Sequence, residues 1–123
     1  MTWSPTEVTI VDKPWGREVI YACSEHYLGK VIEIHDGHRL SLQSHVEKDE
    51  TIYVLEGRLL LAVGASPGNV STRELHPGQA YRIRPGVVHR FAAVHGPARL
   101  IEVSTPHPDD VVRYSDDYGR TLD

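Results

Sequence analysis

The chain has 123 residues, 40% of them hydrophobic and 24% charged, which is the size and make-up of one domain spanning 1–123, with no room for a second. Thirteen Lys and Arg against 17 Asp and Glu leave a net charge of −4, so the broad positive field that phosphate backbones demand is missing and nucleic acid is not an expected partner. The longest apolar run, Leu59 to Val63, is too short to span a bilayer, which argues against a membrane role. The one cysteine, Cys23, cannot form an intrachain bridge, and the polar start carries no targeting segment, so a reducing cytoplasm is the expected location. Eight histidines in so short a chain point to a site, because imidazole ligates metals and titrates near neutrality.

In chain order, the segments between glycine and proline breakers read as short β-branched strands. They run from 18 to 21, 29 to 34, 40 to 45, 51 to 55, 58 to 63, 71 to 75, 80 to 84, 89 to 93 and 99 to 104. The step LeuGluGlyArgLeu at 55–59 predicts a tight hairpin, and HisProGlyGln at 76–79 and ArgProGlyVal at 84–87 predict turns. Only Pro108 to Tyr114 suggests helix, a turn or two, with Asp109 and Asp110 suited to its start. Many antiparallel strands joined by turns predict an all-β closed barrel or two-sheet jelly roll.

One stretch has metal-ligand character: Gly37, Gln43, His45, Glu50 and Gly57 in that order. Residues two apart on a strand share a face, so Gln43 and His45 project together, and Glu50 returns to them if a short connection turns the chain. His89 follows the IleArgProGly turn of a second stretch, Gly78 to Ala93, at the start of another strand. Two imidazoles, a carboxylate and an amide oxygen suit one divalent cation with one or two positions open for water or substrate. Zinc is the first expectation, with manganese, iron, nickel and cobalt also compatible. His26, His76, His95 and His107 sit in turns and read as solvated, whereas His35 and His38 flank the bend before the first stretch.

These two stretches resemble the two motifs of the cupins, Gly37 to Gly57 being similar to the first and Gly78 to Ala93 to the second. Gln43 stands where most cupins have histidine, and in this it resembles the phosphomannose isomerases. LysProTrpGly at 13–16, LeuSerLeuGlnSerHis at 40–45 and AspAspValValArgTyrSerAspAspTyrGlyArg at 109–120 resemble the C-terminal isomerase domain of the type II phosphomannose isomerase and guanylyltransferase enzymes. ValGluLysAsp at 46–49 departs from the HisHisArgAla of that family. The resemblance implies a single cupin barrel, a double-stranded β-helix of jelly-roll type. It further implies metal-dependent interconversion of an aldose and a ketose, a sugar or sugar phosphate such as mannose 6-phosphate, by a homodimer.

The same resemblance gives Arg90 a catalytic role, although strict alternation turns it from the face of His89, so that it reaches substrate only from the rim or through a bulge. Lys48 is the second catalytic candidate. With Arg82 and Arg84 it is within sequence reach of a phosphate, and Lys48, Glu33, Glu102, His38 or a metal-bound hydroxide could move the proton. Trp15 is expected to seal one barrel end or form a dimer contact. The tail residues Arg113, Asp116, Tyr118 and Arg120 read as a folded-back segment held by ion pairs, or as a cover over the open end. Two other functions fit the same ligands: an iron-dependent dioxygenase, through His45, His89 and Glu50, and a non-catalytic sugar- or metal-binding cupin.

Overall fold

The computed structural model describes residues 3–122 and is built of strands. In chain order they are β1 (Thr9–Lys13), β2 (Gly16–Cys23), β3 (Leu28–Ile34), β4 (His38–Arg39), β5 (Leu42–Ser44) and β6 (Glu50–Glu56). They continue with β7 (Leu59–Ser66), β8 (Asn69–Leu75), β9 (Ala80–Ile83), β10 (Val88–Ala93), β11 (Ala98–Ser104) and β12 (Val112–Ser115). One sheet has the order β1-β2-β3-β11-β6-β9 and the other β12-β5-β10-β7-β8, with β4 also pairing β10, and the pairings are antiparallel. Two sheets with non-consecutive neighbours of this kind make a jelly-roll barrel.

Alternation along the strands fills the space between the sheets. Ile32, Leu100 and Val54 form one cross-strand row of the first sheet, and Phe91 faces Leu61 across β10 and β7 of the second. All five are essentially buried, and with Trp15, Ile34, Ile52, Leu59 and Ile83 they form the core. Truncating one such side chain to alanine costs about 2–5 kcal/mol. The core occupies one part of the interior; charged, polar and apolar side chains together line the rest.

The expected hairpin at 55–59 is present, with Gly57 at φ 78, and a Cβ there would collide with the Pro97 carbonyl, so glycine is required on two counts. Two expectations are corrected, and one strand is added. The strand expected over 40–45 is shortened to β5 at 42–44, with β4 lying before it; between the two, the Leu40 carbonyl accepts from the Arg90 guanidinium at 2.9 Å instead of from a neighbouring strand. The helical turn expected over 108–114 is a turn at 108–109 followed by β12, which pairs with β5. β1, which the breaker pattern did not mark, pairs with β2 along its length. No helix among the described residues is long and apolar enough to cross a membrane. Cys23 is a free, exposed thiol.

Candidate metal centre and cavity

His45 directly follows the short strand β5, Glu50 opens β6, and His89 lies on the inner face of β10. Their side chains converge: His45 Nε2 is 3.7 Å from Glu50 Oε2, His89 Nε2 is 3.3 Å from Glu50 Oε1, and the two imidazole centroids are 5.0 Å apart. One donor atom of each lies within 4.8 Å of the others, and all three residues are buried.

The backbone aims both imidazoles. His45 Nδ1 is 2.6 Å from the Asp110 carbonyl, and His89 Nδ1 is 3.0 Å from the Val87 carbonyl. A carbonyl can only accept, so each Nδ1 carries the hydrogen and each Nε2 lone pair points at Glu50. His89 Nε2 is buried without a hydrogen-bond partner, an arrangement that is costly unless a cation takes the lone pair. Two neutral imidazoles and a carboxylate are a donor set that fits a divalent transition metal.

Electrostatics favour the same protonation states. Burial pushes the His45 imidazole below its ordinary value, towards the neutral form a ligand needs. Burial alone would raise Glu50, but the Lys48 ammonium beside it, joined by His89 and His45 whenever their rings are protonated, holds the carboxyl far below the usual range. Lys48 bridges two carboxylates, with Nζ 3.0 Å from Glu50 Oε2 and 3.0 Å from Glu102 Oε2. Its desolvation is outweighed by Glu102 and Glu50, so its pKa is raised and it stays an ammonium. Glu102 is pushed up by burial and by the charge of Glu50. From there the ion pairs continue outward: Lys30 lies between Glu102, at 3.9 Å, and Glu18, at 2.6 Å, and Lys13 reaches Glu18 at 3.9 Å.

His45, Glu50, Lys48, Glu102, Lys30, Glu18 and Lys13 line a cavity of about 110 Å³ that is partly open to solvent. Gln43, the fourth expected ligand, lines it too and is the cross-strand partner of His89. The structure therefore brings His45, Glu50, His89 and Lys48 together with Gln43 beside them. It does not bring Arg90 there. As alternation requires, the Arg90 side chain lies on the other face of β10, where its guanidinium donates to the carbonyls of Leu40 at 2.9 Å and Ser115 at 3.1 Å.

Several other candidates also lie elsewhere. Arg82 is exposed and paired with Asp49 at 2.6 Å, Arg84 is exposed, and Glu33 takes part in ion pairs with Arg17 and Arg99. His38 stacks on Tyr118, and His26, His76 and His95 are exposed. Glu102 alone among the carboxylates named as proton carriers lines the cavity. Trp15 is buried in the core and lines the cavity as well. The tail is held by ion pairs, Arg120 to Asp116 at 2.8 Å and Arg39 to Asp117 at 2.6 Å, and it also contributes Arg113 and Arg120 to the cavity.

Sequence reasoning missed Asp110. Its carboxylate accepts the backbone N–H groups of Val46 at 2.9 Å, Glu47 at 2.7 Å and Lys48 at 2.8 Å, which fixes the loop joining His45 to Glu50. Partial burial pushes the Asp110 carboxyl up, but these three donors outweigh it and hold the group below its ordinary value. The residue lies within the tail motif at 109–120, yet nothing local names its partner. Lys13, Glu18 and Lys30 were likewise not singled out as site residues.

The cupin domain family matches residues 30–104, the span that carries the cluster and most of both sheets. A xanthan biosynthesis protein, XanB, of Xanthomonas campestris pv. campestris is 32% identical over 115 residues; the match covers 90% of this chain and 24% of that protein. The chain thus spans about a quarter of the length of this curated relative. KdgF from Halomonas sp. superposes with a TM-score of 0.70 at 19% identity, covering 80% of this chain and 88% of that one. Bacillus subtilis oxalate decarboxylase, which has Mn(II) centres, superposes with a TM-score of 0.72 at 17% identity, covering 85% of this chain and 29% of that one.

Proposed function

This chain belongs to the cupin family, and on that footing we propose that it is a metal-dependent aldose–ketose isomerase acting on a sugar or sugar phosphate such as mannose 6-phosphate. The observation that carries the reading is the convergence of two backbone-oriented imidazoles and Glu50 on one point, beside a cavity lined by charged groups together with Gln43, Ser41 and apolar side chains such as Trp15 and Phe91. His45, Glu50 and His89 are the proposed ligands of one divalent cation, with Gln43 the fourth. Zinc is the first choice, and manganese, iron, nickel and cobalt suit the same donors. Bound there, the cation supplies a Lewis acid for a carbonyl and its adjacent hydroxyl.

The protein's own residues would do the rest. Lys48, held as an ammonium between Glu50 and Glu102, would place a positive charge and a proton donor beside the cluster, where an enediol oxygen develops negative charge. Glu102 is the carboxylate we assign to moving the proton between the two carbons. The fully charged Lys48 fits the role of acid better than that of base. Arg90 stays outside this scheme, because its guanidinium is committed to backbone carbonyls beyond the barrel wall. Carbohydrate as the substrate class is supported by the likeness to a xanthan biosynthesis protein and by the polar cavity.

A cytoplasmic homodimer completes the proposal. A dimer is supported by the outer face of the first sheet, where Ile10 pairs Val19, Val19 pairs Val31, Val31 pairs Ile101 and Ile101 pairs Tyr53 in one apolar row across five strands. Light scattering on the purified chain tests that part. The deciding experiment for function is metal analysis of the purified protein together with an assay of mannose 6-phosphate conversion to fructose 6-phosphate. Conversion that disappears with chelator and returns with metal is expected. A fully metallated protein inactive on hexose, pentose and deoxy-sugar phosphates would instead be a binding cupin.

A further inference from the structure

The cavity beside the cluster holds about 110 Å³, room for about three or four water molecules. Pockets that enclose a whole small molecule run to about 300–1,000 Å³, so a sugar enters fully only if part of the lining moves. Much of the wall belongs to β2, β3, β6, β10 and β11, which are locked in antiparallel ladders. Pro108 and Val111 differ: they lie in the segment 105–111 that joins β11 to β12, which contains no strand and no buried residue.

Both ends of this segment are anchored. The Thr105 N–H donates to the Asp49 carbonyl at 3.1 Å, its hydroxyl accepts from the Asp49 N–H at 3.1 Å, and β12 pairs with β5. Between those ends the hold on the barrel is polar. His107 Nε2 lies 3.3 Å from Glu47, the Asp110 carboxylate accepts from the N–H groups of Val46, Glu47 and Lys48, and the Asp110 carbonyl accepts from His45. A segment without a buried apolar anchor opens at a lower free energy than the strands around it. Asp110 is its clasp, and one partner of the clasp is a proposed metal ligand. When a cation takes the lone pair of His45 Nε2, the Nδ1–H becomes a stronger donor and its bond to the Asp110 carbonyl tightens.

We propose that residues 106–111 form a strap that opens the cavity independently of the barrel, and that Asp110 links closure of the strap to metal occupancy at His45. The linkage rests on the metal-centre reading; the opening does not. Coupling is reciprocal, so a closed strap favours the cation by the same factor as the cation favours closure.

Hydrogen exchange on the full chain, metal-free and with saturating Zn²⁺, tests both parts. The N–H groups of Val46, Glu47 and Lys48 exchange when Asp110 lets go, so in the metal-free protein they should exchange at least about 100-fold faster than those of β11. Zn²⁺ should slow them at least about tenfold, and should leave unchanged the Gly96 N–H, which is bound to the Asp36 carboxylate at 2.9 Å in an exposed turn. In Asp110→Ala the three groups should exchange fast with or without Zn²⁺. Metal-free rates as slow as those of β11 overturn the opening. Bound Zn²⁺ that leaves the three groups unslowed, or slows them equally in Asp110→Ala, overturns the linkage. If the alanine variant does not fold, Asp110→Asn decides, since parental exchange there also overturns the clasp. A protein that binds no Zn²⁺ rejects the metal centre and the linkage together, while the metal-free rates still decide the opening.

Discussion

The carbonyl oxygen of Asp110 accepts the Nδ1 hydrogen of His45 at 2.6 Å across 65 positions of sequence, while the carboxylate of the same aspartate caps the loop that follows His45. One residue of the tail therefore sets both the tautomer of a proposed ligand and the path of the chain from that ligand to Glu50. Support of this kind behind a ligating imidazole commonly changes metal affinity 10- to 100-fold.

Asp110→Ala keeps the carbonyl but removes the carboxylate, leaving three backbone donors to water. A stability loss of about 1–3 kcal/mol is expected, with weaker metal binding because the loop no longer holds His45 and Glu50 in register. Asp110→Asn, which keeps an acceptor, should lose less. The Asp110 carboxyl lies below its unfolded value of about 3.9, so its contribution is complete above that pH and is lost as pH falls through the lower folded value. Chemical denaturation of both variants between pH 3 and 7 checks this. An alanine variant with parental stability throughout would show that the loop holds itself.

Much of this arrangement was legible in the sequence. The two-residue spacing of Gln43 and His45, the turn before Glu50 and the proline-glycine turn before His89 are local signals, and they lead to the residues that converge. Alternation also placed Arg90 opposite His89, where it lies. The tail was misread for a physical reason: an aspartate near a run of β-branched residues looks like a helix N-cap, because it is suited to accept consecutive backbone N–H groups. Asp110 does accept such donors, but from residues 46–48, and sequence does not reveal a partner that folding brings from so far away. Lys13 and Arg113 were illegible as cavity residues for the same reason, since only strand register puts β1 and β12 around the interior.

Arg90 links two segments through backbone carbonyls, so Arg90→Ala should act on the fold. Loss of these charged donors should cost about 1–3 kcal/mol, with the metal content of the folded protein unchanged. Thermal melts and metal analysis on the same preparation separate the two effects. A variant as stable as its parent but with lower turnover would return Arg90 to the substrate.

Removing the metal should not unfold the barrel. The core of Ile32, Val54, Leu61, Phe91 and Leu100 is complete without it, unlike that of a zinc finger. Free metal about 100-fold above its dissociation constant should add about 3 kcal/mol by mass action. His45→Ala should abolish that increment. His76→Ala should keep it, because His76 is an exposed turn residue whose nearest carboxylate is Glu74 at 3.4 Å. Melts with chelator and with added Zn²⁺ or Mn²⁺ compare the two, and an equal response in both variants would mean that the ligands lie elsewhere.

The pH dependence of this increment follows from His45. Its burial lowers the folded pKa below the unfolded value of about 6.5, so the unfolded chain takes up the proton first on acidification. The metal-free protein should therefore have the full His45 contribution above about pH 6.5 and lose it as pH falls through the lower folded value. Metal affinity should fall in the same direction, since protons and the cation compete for Nε2, and its decline should begin below the pH at which an exposed imidazole would protonate. Titrating Zn²⁺ affinity from pH 7.5 down to 5 measures the midpoint directly. A midpoint above 6.5, or one unmoved in His45→Ala, would exclude His45 as the group that competes with the metal.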